Sequence, residues 1–170
     1  MTDTARRTLG VDTALRSTGV AVVEARGQQL GSVEHGLIRN AASLTLSACL
    51  LNLHNGIVDL LARTKPVAVA IEGVFFSRNV KTSITLGEAR GVVIAACAAA
   101  GLPVYEYSPR RVKQALVGFG GAEKDQVRKM VMSILNLSEP PAEDAGDALA
   151  LAICHLHSRT GYAALAPKAI

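Results

Sequence analysis

The sequence contains no tryptophan, and aromatic residues make up only 4% of its 170 residues. Hydrophobic residues still account for 49% of the chain, so Leu, Val, Ile and Ala must form the interior of a globular protein. The three cysteines, Cys49, Cys97 and Cys154, lie far apart among Leu and Ala. This spacing fits neither a disulfide framework nor a zinc site. We expect the cysteines to be small buried hydrophobes in a reducing compartment.

The sequence also lacks the patterns of membrane targeting. Residues 1–7 contain no apolar signal-peptide core, and no uncharged apolar stretch is long enough to cross a bilayer. A cytoplasmic protein with no membrane association is therefore expected. The length suits one domain, which we place at 1–158, followed by a flexible C-terminal tail at 159–170.

Acidic residues are slightly outnumbered. The chain has 18 Lys and Arg against 14 Asp and Glu, giving a net charge of +4, which is compatible with a polyanionic partner. The excess is concentrated between residues 104 and 130. The cations of this stretch are Arg110, Arg111, Lys113, Lys124, Arg128 and Lys129.

The hydrophobic pattern predicts an α/β domain with a mixed sheet covered by helices. Strands are predicted at 8–12, 19–25, 32–39, 67–72 and 104–107. Helices are predicted at 43–63 and 82–100, and three more begin near 109, 123 and 143. The first three strands form an antiparallel meander, linked by a turn at 17–19 and a connection at 27–31.

Four carboxylates stand where apolar segments end or begin. Asp12 and Glu72 follow buried strands, while Asp144 and Asp147 open the last helix and share one of its faces. An ionised carboxylate at such an edge is costly to desolvate unless a cation or donor satisfies it. If the four converge, they form a site for Mg²⁺. Asp144 alone is equally well explained as an acid that favours the helix dipole.

Six segments in order, at consistent spacing, resemble the RuvC family of bacterial Holliday junction resolvases. They are 10–12 (GVD), 70–76 (AIEGVFF), 86–92 (LGEARGV), 111–114 (RVKQ), 121–124 (GAEK) and 144–150 (DAGDALA). The resemblance covers residues 8 to about 158. It implies a ribonuclease-H-like mixed five-stranded sheet flanked by helices, a homodimer, Mg²⁺-dependent cleavage of four-way DNA junctions in recombination and repair, and branch-migration motor proteins acting on the same junction.

The resemblance also implies roles for individual residues. The metal-binding acids would be Asp12, Glu72, Asp144 and Asp147, holding two Mg²⁺ ions with Mn²⁺ as an alternative, and Lys124 would assist catalysis. The DNA-binding candidates are Phe75, Phe76, Arg78, Asn79, Lys81, Arg110, Arg111, Lys113 and Lys124. An aromatic ring on a loop can stack on any base, and nearby cations can hold phosphates. One of the two phenylalanines could equally belong to the core.

The chain departs from the family pattern at two places. Thr13 and Ala14 replace the usual Pro-Gly after the first acid, and Gly73 replaces a common Gln after the second. Neither change removes a ligand, but the shape of the first turn and a hydrogen bond near the metal are affected. The small residues of the helix at 82–100 would suit a dimer interface or packing against the sheet.

Two other functions share some of these features. An actin-like ATPase or sugar kinase also has an Asp at the end of its first strand, but it needs a second half that 170 residues do not provide. A binding module could grip branched DNA without cutting it. Four acids facing phosphates would repel DNA in such a module, which favours the nuclease.

Overall fold

The structure is a computed structural model that describes residues 5–73, 79–158 and 167–170. Within these residues the elements are β1 (Arg6–Asp12), β2 (Ser17–Arg26), β3 (Gln29–Arg39), α1 (Leu46–Thr64), β4 (Ala68–Glu72), α2 (Val80–Ala99), β5 (Val104–Tyr107), α3 (Pro109–Val117), α4 (Lys124–Leu135) and α5 (Glu143–Ser158). The five strands form one sheet in the order β3-β2-β1-β4-β5. β1 is antiparallel to β2 and parallel to β4. The predicted mixed five-stranded α/β fold is confirmed.

The first hairpin differs from the predicted one. Residues 17–19 were expected to form the turn but lie inside β2, and the turn occupies 13–16 instead. The buried Thr18 hydroxyl bonds to both the N–H and the carbonyl of Ala14, so the turn closes earlier. The second hairpin turns within two residues, because Gly27 adopts a φ of 58°. β3 therefore starts at Gln29, three residues earlier than predicted.

Capping side chains set the starts of two helices. α1 begins at Leu46 rather than at 43, because the Thr45 side chain accepts a hydrogen bond from the N–H of Ala48. Ser108 caps α3 and Pro109 is its first residue, as the sequence predicts.

The two faces of the sheet carry different side chains. Leu9, Val11, Val69 and Ile71 face α1 and α2 in one core cluster. The intervening Ala70 belongs to a second cluster with α3, α4 and α5. Because side chains alternate along a strand, the last residues of β1 and β4 point to the α5 side. The periodicity that buries the strands thus directs two carboxylates to one face.

Small residues let α5 lie directly on the sheet. A Cβ atom added at Gly10 would overlap the backbone carbonyl of Ala148, and one added at Gly19 would overlap that of Asp144. Both overlaps are with backbone, which cannot turn aside as a side chain can. The first turn of α5 is therefore held over the ends of β1 and β2.

α2 qualifies the expectation about membranes. This helix, Val80–Ala99, is long and apolar enough to cross a bilayer by length and composition, and 22% of its apolar window is buried. It connects β4 to β5, which are parallel neighbours in the sheet. A connection of that kind must run back along the sheet, and Ala89 and Val93 pack into the core. Insertion of α2 into a membrane would therefore dismantle the sheet.

The last residues contact the edge of the sheet. Ala169 forms an antiparallel bridge with Tyr105, and the N–H of Ile170 donates to the carbonyl of Val104 at 2.9 Å. At residues 169–170 the chain is thus held, which differs from the free tail expected there. The division into a domain at 1–158 and a tail at 159–170 otherwise stays a prediction. All three cysteines are buried and free, as expected.

Candidate active site

A cleft of about 320 Å³ opens beside the carboxyl ends of β1 and β4. Asp12 is the last residue of β1, and Glu72 is the last residue of β4. Asp144 and Asp147 come from the start of α5. All four carboxylates line this one cleft. Three elements far apart in sequence therefore converge here, which is the condition that the sequence analysis set for a metal site.

Two lysines and an apolar wall complete the cleft. Lys113 comes from α3 and Lys124 from the start of α4. Val112, Val127 and Leu151 supply apolar lining. A partly apolar wall lowers the local dielectric beside the carboxylates, which strengthens electrostatic interactions there.

Asp12 is the carboxylate most perturbed by its surroundings. Burial, followed by the nearby charges of Asp147, Glu72 and Asp144, raises the pKa of Asp12 from 3.8 to about 7. Lys124 lowers this pKa but offsets only part of the effect. Carboxylates crowded into a cleft disfavour one another's charged form. The cleft thus holds more negative charge than its own side chains neutralise.

Two other acids show the same effect. Burial and then the charge of Asp147 raise the pKa of Glu72 above its usual value. The pKa of Asp147 is also raised, chiefly by burial, although Lys124 opposes the change. Perturbed carboxylates that share a cleft are typical of functional sites.

Lys124 connects two acids at the rim. Its Nζ lies 2.8 Å from Oε1 of Glu143 and 3.6 Å from Oδ2 of Asp147. Its hydrogen bond to Glu143 and the charge of Asp147 raise the pKa of Lys124, so the amine stays charged at neutral pH. The Lys124 side chain is 72% exposed, and exposed ion pairs contribute little to stability. The ammonium group of Lys124 therefore remains available to a phosphate.

The donor set fits a hard divalent cation. In the described part of the chain, no three His, Cys, Asp or Glu side chains are close enough together to hold a metal ion as they stand. The four acids nevertheless offer only oxygen ligands, which Mg²⁺ and Mn²⁺ prefer, and they share one cleft with excess negative charge. Asp12, Glu72, Asp144 and Asp147 could hold such an ion if their side chains moved closer together.

The DNA-binding candidates are more dispersed. Lys113 and Lys124 line the cleft, whereas Arg110 and Arg111 are exposed on α3 outside it. Lys81 is exposed in the first turn of α2.

The Asn79 side chain accepts a hydrogen bond from the N–H of Thr82. It is thus the N-cap of α2, a structural role that the sequence-based assignment missed. Phe75, Phe76 and Arg78 lie outside the described residues.

Sequence reasoning missed three residues that shape the site. Ser17 donates a hydrogen bond to Asp144, Glu143 pairs with Lys124, and Gly19 lies under the first turn of α5. A glycine inside a strand is a signal of close backbone approach, so Gly19 could have been identified. The other two contacts depend on tertiary structure alone.

Comparison with known proteins identifies the family of this chain. The family model described as "Crossover junction endodeoxyribonuclease RuvC" matches residues 8–155. A protein of that name from Rhodospirillum rubrum is 48% identical over 160 residues, covering 94% of this chain and 95% of that protein. Another from Idiomarina loihiensis is 48% identical over 154 residues, covering 88% and 86%.

Solved structures give the same result. Thermus thermophilus RuvC superposes with a TM-score of 0.87 at 32% identity, covering 96% of this chain and 99% of that one. The same protein in complex with a Holliday junction substrate gives 0.86 at 30% identity, with the same coverage. A yeast mitochondrial resolvase shares the fold alone, with a TM-score of 0.64 at 12% identity over 89% of this chain and 79% of that one. This chain belongs to the RuvC family of crossover junction endodeoxyribonucleases.

Proposed function

We propose that this protein resolves four-way DNA junctions by paired, symmetrical nicks during homologous recombination and repair. One observation carries the proposal: Asp12, Glu72, Asp144 and Asp147 line a single cleft together with Lys124, in a chain of the RuvC family. The solved relative with a Holliday junction substrate supports this choice of DNA.

Membership of this nuclease family implies dependence on a divalent metal. We propose Mg²⁺, with Mn²⁺ as an alternative, because the four proposed ligands are all carboxylates. We propose two ions per site because nucleases commonly use a pair of metal ions. When bound, the ions would activate a water molecule and stabilise the departing 3′ oxygen of the phosphodiester.

The chain's own side chains contribute around this chemistry. Asp12, whose pKa is about 7 in the uncompensated cleft, would lose its proton when positive charge enters. Lys124 is held at the rim by Glu143. From there it can reach a phosphate oxygen and neutralise charge that develops in the transition state. Lys113, on the facing helix α3, would hold the adjoining backbone.

Recognition of the junction would use further residues in addition to those that line the cleft. Phe75 and Phe76 would stack on bases at the junction centre, with Arg78 and Lys81 holding phosphates. Arg110 and Arg111 extend a basic surface along α3.

The proposed active unit is a homodimer in the cytoplasm, acting on junctions that branch-migration motors also bind. The outer face of α2 supports the dimer. A Cβ at Gly87 or Gly91 would meet nothing within 4 Å, and Ile84 is 58% exposed. A two-fold axis through this face would place two clefts on strands of like polarity.

The test is cleavage of a synthetic mobile four-way junction, with linear duplex as the control substrate. We expect symmetrical paired nicks on the junction alone, with Mg²⁺ and not with EDTA. Asp147→Asn should bind the junction without cutting it. The product of each strand is mapped on a denaturing gel, so that unpaired nicking is recognised.

A module that binds junctions without cutting them is the alternative. It would be established if the wild-type protein bound the junction tightly and left it intact with every divalent metal tried. The turn at Thr13 and Ala14, where this chain departs from the family pattern, would then be the place to seek the defect.

A further inference from the structure

Ser17 does not line the acidic cleft, but its side chain contacts Asp144, one of the four carboxylates that do. It is the first residue of β2 and half-buried. Its hydroxyl donates a hydrogen bond to Oδ2 of Asp144, with the two oxygens 2.6 Å apart. This length lies within the usual range of an O–H···O hydrogen bond.

The same strand also fixes the backbone of Asp144. Ser17 and Gly19 are two residues apart in β2, so they point to the same face of the sheet. The carbonyl of Asp144 lies against Gly19, where a Cβ would overlap it. Asp144 is thus held twice by β2, once through its backbone and once through its carboxylate.

The carboxylate needs this support because of where it lies. α5 begins at Glu143, so no earlier helical turn packs against the Asp144 side chain. Without the Ser17 contact the Asp144 side chain could adopt more than one staggered conformation. The Ser17 hydroxyl selects one of them and occupies a single acceptor position of Oδ2, which leaves the remaining lone pairs for a cation.

We infer that Ser17 is a positioning residue that orients Asp144 toward a divalent cation in the cleft. The inference rests on the proposed metal-dependent function. Hydrogen bonds to ligating carboxylates typically change metal affinity by roughly 10–100-fold. A single neutral donor on one of four acids should lie at the lower end of that range.

The test measures metal binding by the full chain without DNA. Mg²⁺ and Mn²⁺ are titrated calorimetrically into metal-free wild type, Ser17→Ala, Ser17→Thr and Asp144→Asn. Ser17→Ala should bind the ions about tenfold more weakly, and Ser17→Thr, which keeps the hydroxyl, should recover most of that loss.

Ser158→Ala is the matched control. The Ser158 hydroxyl donates to the carbonyl of Cys154 at 2.7 Å, at the opposite end of α5. Removing it deletes a hydroxyl contact to the same helix, and metal affinity should not change.

Junction cleavage at increasing metal concentration gives a second readout. Ser17→Ala should need about ten times more metal for half-maximal rate, and its rate should recover at saturation. A loss of stability alone would instead lower the rate at all metal concentrations.

Three results would overturn the inference. If Ser17→Ala binds metal like the wild type while Asp144→Asn does not bind it, Ser17 has no positioning role and the proposed function stands. If Ser17→Thr binds as weakly as Ser17→Ala, the hydroxyl is not what matters. If the wild type neither binds these ions nor requires them for cleavage, the proposed function and the inference both fail.

Discussion

One methyl group added at Gly19 should move the carboxylates of α5 away from the two carboxylates at the strand ends. Gly19 pairs with Asp12 across the β1–β2 ladder, and the carbonyl of Asp144 lies directly against it. In Gly19→Ala the new Cβ would fall well inside 3.0 Å of that carbonyl, a distance that real Cβ contacts do not show. The first turn of α5 must therefore recede by roughly 1 Å.

The magnitude follows from what that displacement disturbs. Overpacking of a close backbone contact costs about 1–3 kcal/mol of unfolding free energy. A shift of about 1 Å in a catalytic group costs about 100-fold in rate. Asp144 and Asp147 move with the helix while Asp12 and Glu72 stay on their strands. We therefore expect a cleavage defect of about 100-fold that persists under conditions where the variant is fully folded.

Urea unfolding measures the stability change, and single-turnover cleavage of a four-way junction measures the rate. Gly36→Ala is the matched control, because Gly36 lies in β3 of the same sheet and a Cβ there would meet nothing within 4 Å. Replacing glycine by alanine in an open strand position is neutral or stabilising by up to about 1 kcal/mol. If Gly19→Ala unfolds and cleaves like Gly36→Ala, α5 does not depend on this contact and our account of the site is wrong.

Three further predictions concern charge and assembly. The raised pKa of Asp12, about 7 against 3.8, means that the folded protein binds this proton more tightly than the unfolded chain. In EDTA, ionised Asp12 should therefore lower the free energy of unfolding increasingly as pH rises from about 4 to 7. The free energy of unfolding of Asp12→Asn, measured in urea, should lack this pH dependence. Parallel pH profiles for the two proteins would contradict the raised pKa of Asp12. Lys124→Ala should lower the cleavage rate by about 100-fold. The control Lys129→Ala removes a surface ion pair with Asp125 and should cleave like the wild type. Equal rates for both variants would exclude a role for Lys124. Ile84→Glu should shift the molar mass measured by light scattering from dimer to monomer, while Leu51→Glu, an equally exposed apolar position on α1, should not; a dimer that survives Ile84→Glu would place the interface elsewhere.

Strand-end carboxylates were predictable because periodicity and burial are local properties of the sequence. Val11 and Ile71 had to face a core, so the side chains of the next residues, Asp12 and Glu72, had to point to the opposite face of the sheet. The parallel pairing of Val11 with Ile71 then makes Asp12 and Glu72 neighbours. Local pattern was sufficient to place each carboxylate at a strand end, and the pairing of the two strands brought them together.

The contacts between β2 and α5 were not predictable in the same way. Ser17 and Asp144 are 127 positions apart, and no local preference of either residue specifies their contact. The first turn was placed wrongly at 17–19 because a Ser-Thr-Gly sequence is typical of turns. In the structure Thr18 lies within β2, and its hydroxyl forms hydrogen bonds with the N–H and the carbonyl of Ala14 in the turn. A side-chain contact thus overrode the local preference.

The acidic cleft lowers the stability of the metal-free protein. Carboxylates that raise one another's pKa oppose folding at neutral pH, and the chain keeps them together by laying α5 on Gly10 and Gly19. A cation that binds only the folded arrangement should return that stability by mass action. Divalent metal should therefore raise the melting temperature of the wild type more than that of Asp12→Asn, because the variant has both less repulsion to relieve and one ligand fewer. The size of that difference reports how much of the instability of the metal-free protein originates in its own active site.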